Sequence, residues 1–138
     1  YYVIREVLGM HRDLLNQNTN SVVTGLLENT PHRVVNRLGE LLKERGMSQG
    51  DLSRLTGIRV ATINDFANMK KTNVNMLHLV PIMIALRITD MTEIFYVEFP
   101  DEVKERFAED MEGYEGGLTE KMLKEVEENS KEMYVQEK

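Results

Sequence analysis

The sequence contains no cysteine. That absence excludes a disulfide framework, thiolate metal ligation and thiol redox chemistry, and it fits a reducing cytosol. His11, His32 and His78 lie on separate segments, with no partner at metal-ligand spacing. No glycine-rich phosphate loop is present, and no nucleophile stands beside an evident base. The expectation is a protein that is not an enzyme and needs no cofactor or metal. Long apolar runs are missing as well. The longest, residues 77–86, contains His78 and Pro81 and falls far short of the ~20 residues of a membrane span. No signal peptide is visible, so the expected location is cytoplasmic, away from any membrane. The chain starts at Tyr1 and reads as a fragment, a processed product or a renumbered sequence. There is no internal repeat and no sustained heptad.

What is present is 138 residues, enough for one domain with extensions or two small domains. The formal net charge is −6, which at first argues against a nucleic-acid partner. The charge is unevenly spread, however. Residues 33–71 carry 8 basic and 4 acidic side chains, whereas residues 101–138 carry 6 basic and 13 acidic ones. A phosphate feels the local balance, because fields are screened over roughly 8–10 Å at ordinary salt.

The apolar pattern is helical through most of the chain. Residues 1–15 place Val3, Val7, Met10 and Leu14 at helical spacing, and the polar run 16–20 reads as a loop. Residues 21–27 fit either a short strand or a helical turn. Thr30-Pro31 reads as an N-cap and first helical position, opening a helix with Val34, Val35, Leu38, Leu41 and Leu42 on one stripe and Gly46 at its end. Ser48, with Asp51 three residues on, makes a capping box with a shorter acid. Leu52 and Leu55 are expected to face inward, and Gly57 to supply the φ > 0 exit. The following helix should bury Ile63, Phe66 and Ala67. Residues 76–86 form an apolar helix that Pro81 should kink or delay. Thr89 or Asp90 caps a fifth through Ile94 and Phe95. Beyond residue 99, Pro100 opens a helix with Val103, Phe107 and Met111, ended by Gly113. Thr119 caps the last, with Leu118 and Leu123 as a hydrophobic staple. The pairs Glu120–Lys124 and Glu127–Lys131 stand at i,i+4 spacing on it.

The residues Leu38, Leu41 and Leu42, the run Met47-Ser48-Gln49, the run Leu52-Ser53-Arg54-Leu55-Thr56-Gly57-Ile58, Ile63, Phe66, and the stretch from Leu86 to Phe95 share one pattern. Over residues 33–95 it resembles the Xre/Cro family of helix-turn-helix domains, the lambda-repressor-like fold. The fold class implied is all-α: a five-helix helix-turn-helix domain (31–99) with a helical N-terminal extension (1–30) and an acidic helical C-terminal extension (100–138). The resemblance implies a sequence-specific binder of double-stranded DNA, a repressor of phage or bacterial type acting as a homodimer on a palindromic operator. Its base-reading positions correspond to Arg59, Val60, Ala61, Asn64, Asp65 and Asn68. Gln49, Thr62, Lys70 and Lys71 are the matching phosphate contacts. Arg59 stands where the family usually has a serine cap, and Asp65 puts a negative charge on the reading face. The alternative is a protein-interaction module on the same fold, such as an antitoxin, an anti-repressor or a phage-encoded inhibitor. Its partner would dock on the N- or C-terminal extension.

Overall fold

Helix starts and stops are decided by local chemistry, and in this chain they place most of the elements. The computed structural model describes residues 2–3, 21–70 and 73–137. In order these give β1 (Tyr2–Val3), α1 (Ser21–Asn29), β2 (Arg33–Asn36), α2 (Leu38–Glu44), α3 (Gln49–Thr56), α4 (Val60–Ala67) and α5 (Met76–Leu86). A 3-10 turn (Met91–Glu93), β3 (Phe95–Glu98), α6 (Asp101–Asp110) and α7 (Glu120–Glu137) follow. The ambiguous stretch 21–27 is helical. Apart from the strand at Tyr2–Val3, the helix expected over 1–15 and the loop over 16–20 lie outside the described residues. Lys71 lies outside them too.

The chain forms two compact units: Tyr1–Tyr2 with Arg33–Glu98, and Val3–His32 with Phe99–Lys138. In the first, the apolar stripes of four helices meet. Leu38, Leu41 and Leu42 of α2, Leu52 of α3, Ile63 of α4, and Leu79, Ile82 and Leu86 of α5 are buried together with Ile88 and Ile94. Each such side chain contributes roughly 1.5–3 kcal/mol relative to exposure. That cluster fixes the short helices α3 and α4, which are too brief to be stable alone.

The fold is mostly helical rather than all-α. Thr30-Pro31 does not open a helix. Residues 33–36 instead pair antiparallel with 95–98, in the register Arg33↔Glu98, Val34↔Val97, Val35↔Tyr96 and Asn36↔Phe95, and β1 stands next to β2. β-Branched and aromatic side chains suit this pleated surface, and Val35 is buried while Arg33 is exposed. An Arg33–Glu98 ion pair links the strands. The helix therefore begins later, at Leu38, whose N–H donates to the Asn36 carboxamide oxygen at 3.0 Å. The fifth helix shrinks to the 3-10 turn, where Asp90 accepts from the Thr92 N–H at 2.9 Å. The chain then enters β3.

Pro81 sits inside α5 and neither precedes nor delays it. The start is set by Asn75, whose side chain accepts from the Leu77 N–H at 2.9 Å. At the far end Arg87 takes a left-handed φ of 60°, and Arg45 donates to the Leu86 carbonyl.

The second unit holds α1, α6 and α7. Pro100 stands at the N-cap of α6, and Gly113 follows it with φ 71°. Phe99 packs edge-on against Phe107 at 5.8 Å and lies tilted against the His32 ring at 6.1 Å. Thr119 does cap α7, accepting from the Met122 N–H at 3.1 Å. The expected staple is not buried, because Leu118 and Leu123 are both exposed. Neither expected i,i+4 pair of α7 closes among the described residues; Lys121 instead reaches Asp110 at 3.0 Å.

Candidate nucleic-acid interface

The turn between α3 and α4 is built from side chains a few residues apart. Ser48 Oγ accepts from the Asp51 N–H at 3.0 Å, and the Asp51 carboxylate accepts from the Ser48 N–H at 2.9 Å. This reciprocal cap satisfies two donors that a helix start leaves open. At the other end Gly57 adopts φ 78°, a left-handed conformation that costs glycine little. Its N–H donates to the Ser53 carbonyl at 2.7 Å. Thr56 Oγ1 donates to the Leu52 carbonyl at 2.8 Å and accepts from the Ile58 N–H at 3.1 Å. The Ser53 hydroxyl closes the corner on the Ile58 carbonyl at 2.5 Å.

α4 is thereby anchored by its inner face. Ile63 is fully buried, and Phe66 meets Phe95 of β3 edge-on at 6.5 Å. Asn36 adds a brace that spacing alone does not reveal. While its oxygen accepts from the Leu38 N–H, its Nδ2 donates to the Phe66 carbonyl at 3.0 Å. The sequence signal was present, an asparagine two residues ahead of a helix, but the second bond spans thirty positions.

The outer side of α4 carries the expected reading residues. Arg59, Val60, Ala61 and Asn68 are exposed, and Thr62, Asn64 and Asp65 are partly so. Asn68 Nδ2 donates to Asn64 Oδ1 at 2.6 Å, aligning the two carboxamides one helical turn apart. Asp65 faces Lys70 at 3.9 Å, so its negative charge is partly offset. Such an exposed pair is worth roughly 0–1 kcal/mol, and either member rearranges at little cost.

Gln49 occupies the first position of α3, half-buried, beside amides that the cap leaves open. The Asp51 carboxylate stands at the same helix end. The Ser48 backbone N–H, then its hydroxyl, and then Arg54 hold its carboxyl below the usual range. It is therefore ionised at neutral pH, and the ion pair with Arg54 counters its charge. Arg54 thus matters to the electrostatics of this end, a role that its spacing in the sequence does not announce. Leu55 is a correction: it is 58% exposed rather than inward. Three residues past Leu52 it is displaced by about 60° around the helix, beyond the neighbours that cover Leu52.

Among the described residues no group of three or more His, Asp or Glu could hold a metal ion, and no helix is long and apolar enough to cross a membrane. Neither a curated protein nor a solved structure matches the chain. The model of the Cro/C1-type HTH DNA-binding domain does match, over residues 37–100. That span runs from the N-cap of α2 past the end of β3, taking in the turn and the whole of α4, and over it the chain is similar to the Cro/C1-type helix-turn-helix DNA-binding domains.

Proposed function

We propose that the protein is a sequence-specific regulator of transcription that reads double-stranded DNA with the outer side of α4. The observation carrying this is the aligned Asn64–Asn68 pair on a helix whose opposite side is locked by Ile63 and Phe66. With α4 in the major groove, Asn64 bonds an adenine edge in two places and Asp65 accepts from a cytosine amino group. Val60 or Ala61 touches a thymine methyl. Arg59 reaches guanine or a phosphate, and Asn68 orients its neighbour. Gln49, Thr62, Lys70 and Lys71 hold the backbone. The regulator is a repressor of phage or bacterial type: a homodimer covers a palindromic operator in the cytoplasm and excludes polymerase. Its two reading helices then stand about 34 Å apart.

Selection of random duplexes by the purified protein, followed by a salt titration, tests this. A recovered palindrome whose affinity falls steeply with salt is the expected result, and Lys70→Ala with Lys71→Ala should flatten the slope by about two. A pool that converges on no sequence refutes it.

The second reading, a protein-interaction module such as an antitoxin, an anti-repressor or a phage-encoded inhibitor, is favoured by the engaged charges of this surface. Lys70 is drawn to Asp65, and Arg54 to Asp51. On that reading Asn64→Ala leaves partner binding unchanged.

A further inference from the structure

The unit made of residues 3–32 and 99–138 holds a groove that DNA reading does not use. It encloses about 730 Å³ between α1, α6 and α7. Its floor is apolar, with Val22 and Leu26 from α1, Phe107 and Met111 from α6, and Met122 from α7. The Phe107 ring is held in place by Phe99 at 5.8 Å and by the Arg106 guanidinium 5.5 Å from its centroid. Yet Leu26 is 63% exposed. Among the described residues of this unit only Val103 counts as buried core, so three amphipathic helices leave much of their apolar surface open.

One wall is acidic. Glu125, Glu128 and Glu132 line the groove from α7, and their i, i+3, i+7 spacing puts them in one row. None of the three closes an ion pair among the described residues; the nearest polar contact is the Ser21 hydroxyl on Glu132 at 3.5 Å. The other acid lining the groove, Asp110, is already matched by Lys121 at 3.0 Å.

The lining of α7 runs from Thr119 to Glu132, about 20 Å at 1.5 Å per residue. We propose that the groove docks an amphipathic helix with a basic face, supplied by a partner protein. Its apolar residues at i, i+3/i+4 and i+7 enter the floor, and the lysines or arginines flanking them meet the three glutamates. The charge selects this occupant over others. Residues 101–138 carry 13 acidic against 6 basic side chains, so a second copy of the same face, a nucleic acid or an anionic lipid surface would bring like charge to the wall. The inference goes beyond DNA reading and stands whether or not an operator is recovered.

The test uses the full chain and a labelled synthetic peptide of about 18 residues, with leucines along one helical stripe and lysines beside it, read by fluorescence anisotropy at physiological salt. A peptide of the same composition in scrambled order controls for charge alone. The amphipathic peptide should bind at least tenfold more tightly than the scramble. The triple variant Glu125→Gln, Glu128→Gln, Glu132→Gln should weaken it at least tenfold and remove most of its salt dependence. Leu26→Asp, at an exposed position that leaves helical content intact by circular dichroism, should also weaken it at least tenfold. Equal binding of the scramble overturns the proposal, as does an unchanged affinity in either variant. So does displacement of the peptide by raised protein concentration with formation of a dimer, which would make a second copy the occupant.

Discussion

Asn64→Ala probes the proposed reading face most directly, because the structure separates its two contributions. The Asn64 carboxamide oxygen accepts one bond from Asn68 at 2.6 Å, and such an oxygen has two lone pairs. One remains for an adenine N6, while the Asn64 amino group is free for N7. The bond to Asn68 therefore orients the reader without consuming it. Removing Asn64 should cost about 1–3 kcal/mol of discrimination at one base pair, about 5- to 150-fold in relative affinity. Asn68→Ala removes only an exposed neutral hydrogen bond, about 0.5–1 kcal/mol, and so roughly two- to fivefold at the same base pair. The double variant should lose less than the two single losses added together, because orientation is worthless once the oriented group is gone. Competition binding against an operator substituted at each position, at one fixed salt concentration, gives all four corners of the cycle. A uniform loss across every operator, or strict additivity, would refute this account of α4.

Three further outcomes follow from local geometry. Gly57→Ala meets nothing within 4 Å of the added carbon, so its cost is backbone strain alone, about 1 kcal/mol after the stiffer unfolded chain is counted. A thermal melt should show Gly57→Asn losing less; an asparagine as damaging as alanine contradicts the left-handed turn. Leu52→Ala should cost about 2–5 kcal/mol and Leu55→Ala under about 0.5, read from urea midpoints, and equal losses would place Leu55 in the core. Asp51 has a lowered folded pKa, so its capping contribution is complete above the usual aspartate value near about 4 and fades as pH falls through the folded one. The stability gap between wild type and Asp51→Asn should accordingly be present at pH 7 and shrink on acidification to about pH 3. A gap that persists at low pH contradicts the sign.

The legible parts of this chain are those whose cause lies within a few residues. Ser48, Asp51 and Gly57 announce a helix start and a left-handed exit through chemistry three or four positions apart, and Ile63 declares its face by spacing. Val34 and Val35 mislead for the opposite reason. Their partners Val97 and Tyr96 lie some sixty residues away, and beside Leu38 and Leu41 they imitate a helical stripe. Leu55 obeys the stripe yet stays largely exposed, which spacing within one short helix does not reveal. The groove was beyond reach from sequence, since its floor comes from segments that precede and follow residues 37–100. The Asn64–Asn68 alignment was half visible, as an i,i+4 pair whose bond only coordinates disclose.

Arg33 and Glu98 face each other across two paired strands, so the polypeptide enters and leaves the strand-and-helix unit of residues 33–98 side by side. During synthesis that unit is complete once residue 98 has left the ribosome, whereas α1, made before it, must wait for α6 and α7. The side of α1 that lines the groove has neither α6 nor α7 beside it through that interval, the kind of exposure that makes partly made chains stick to one another. A transcript cut short after residue 98 would strand α1 permanently. Early termination should therefore yield a product whose 33–98 unit is sound and whose leading end is prone to clump.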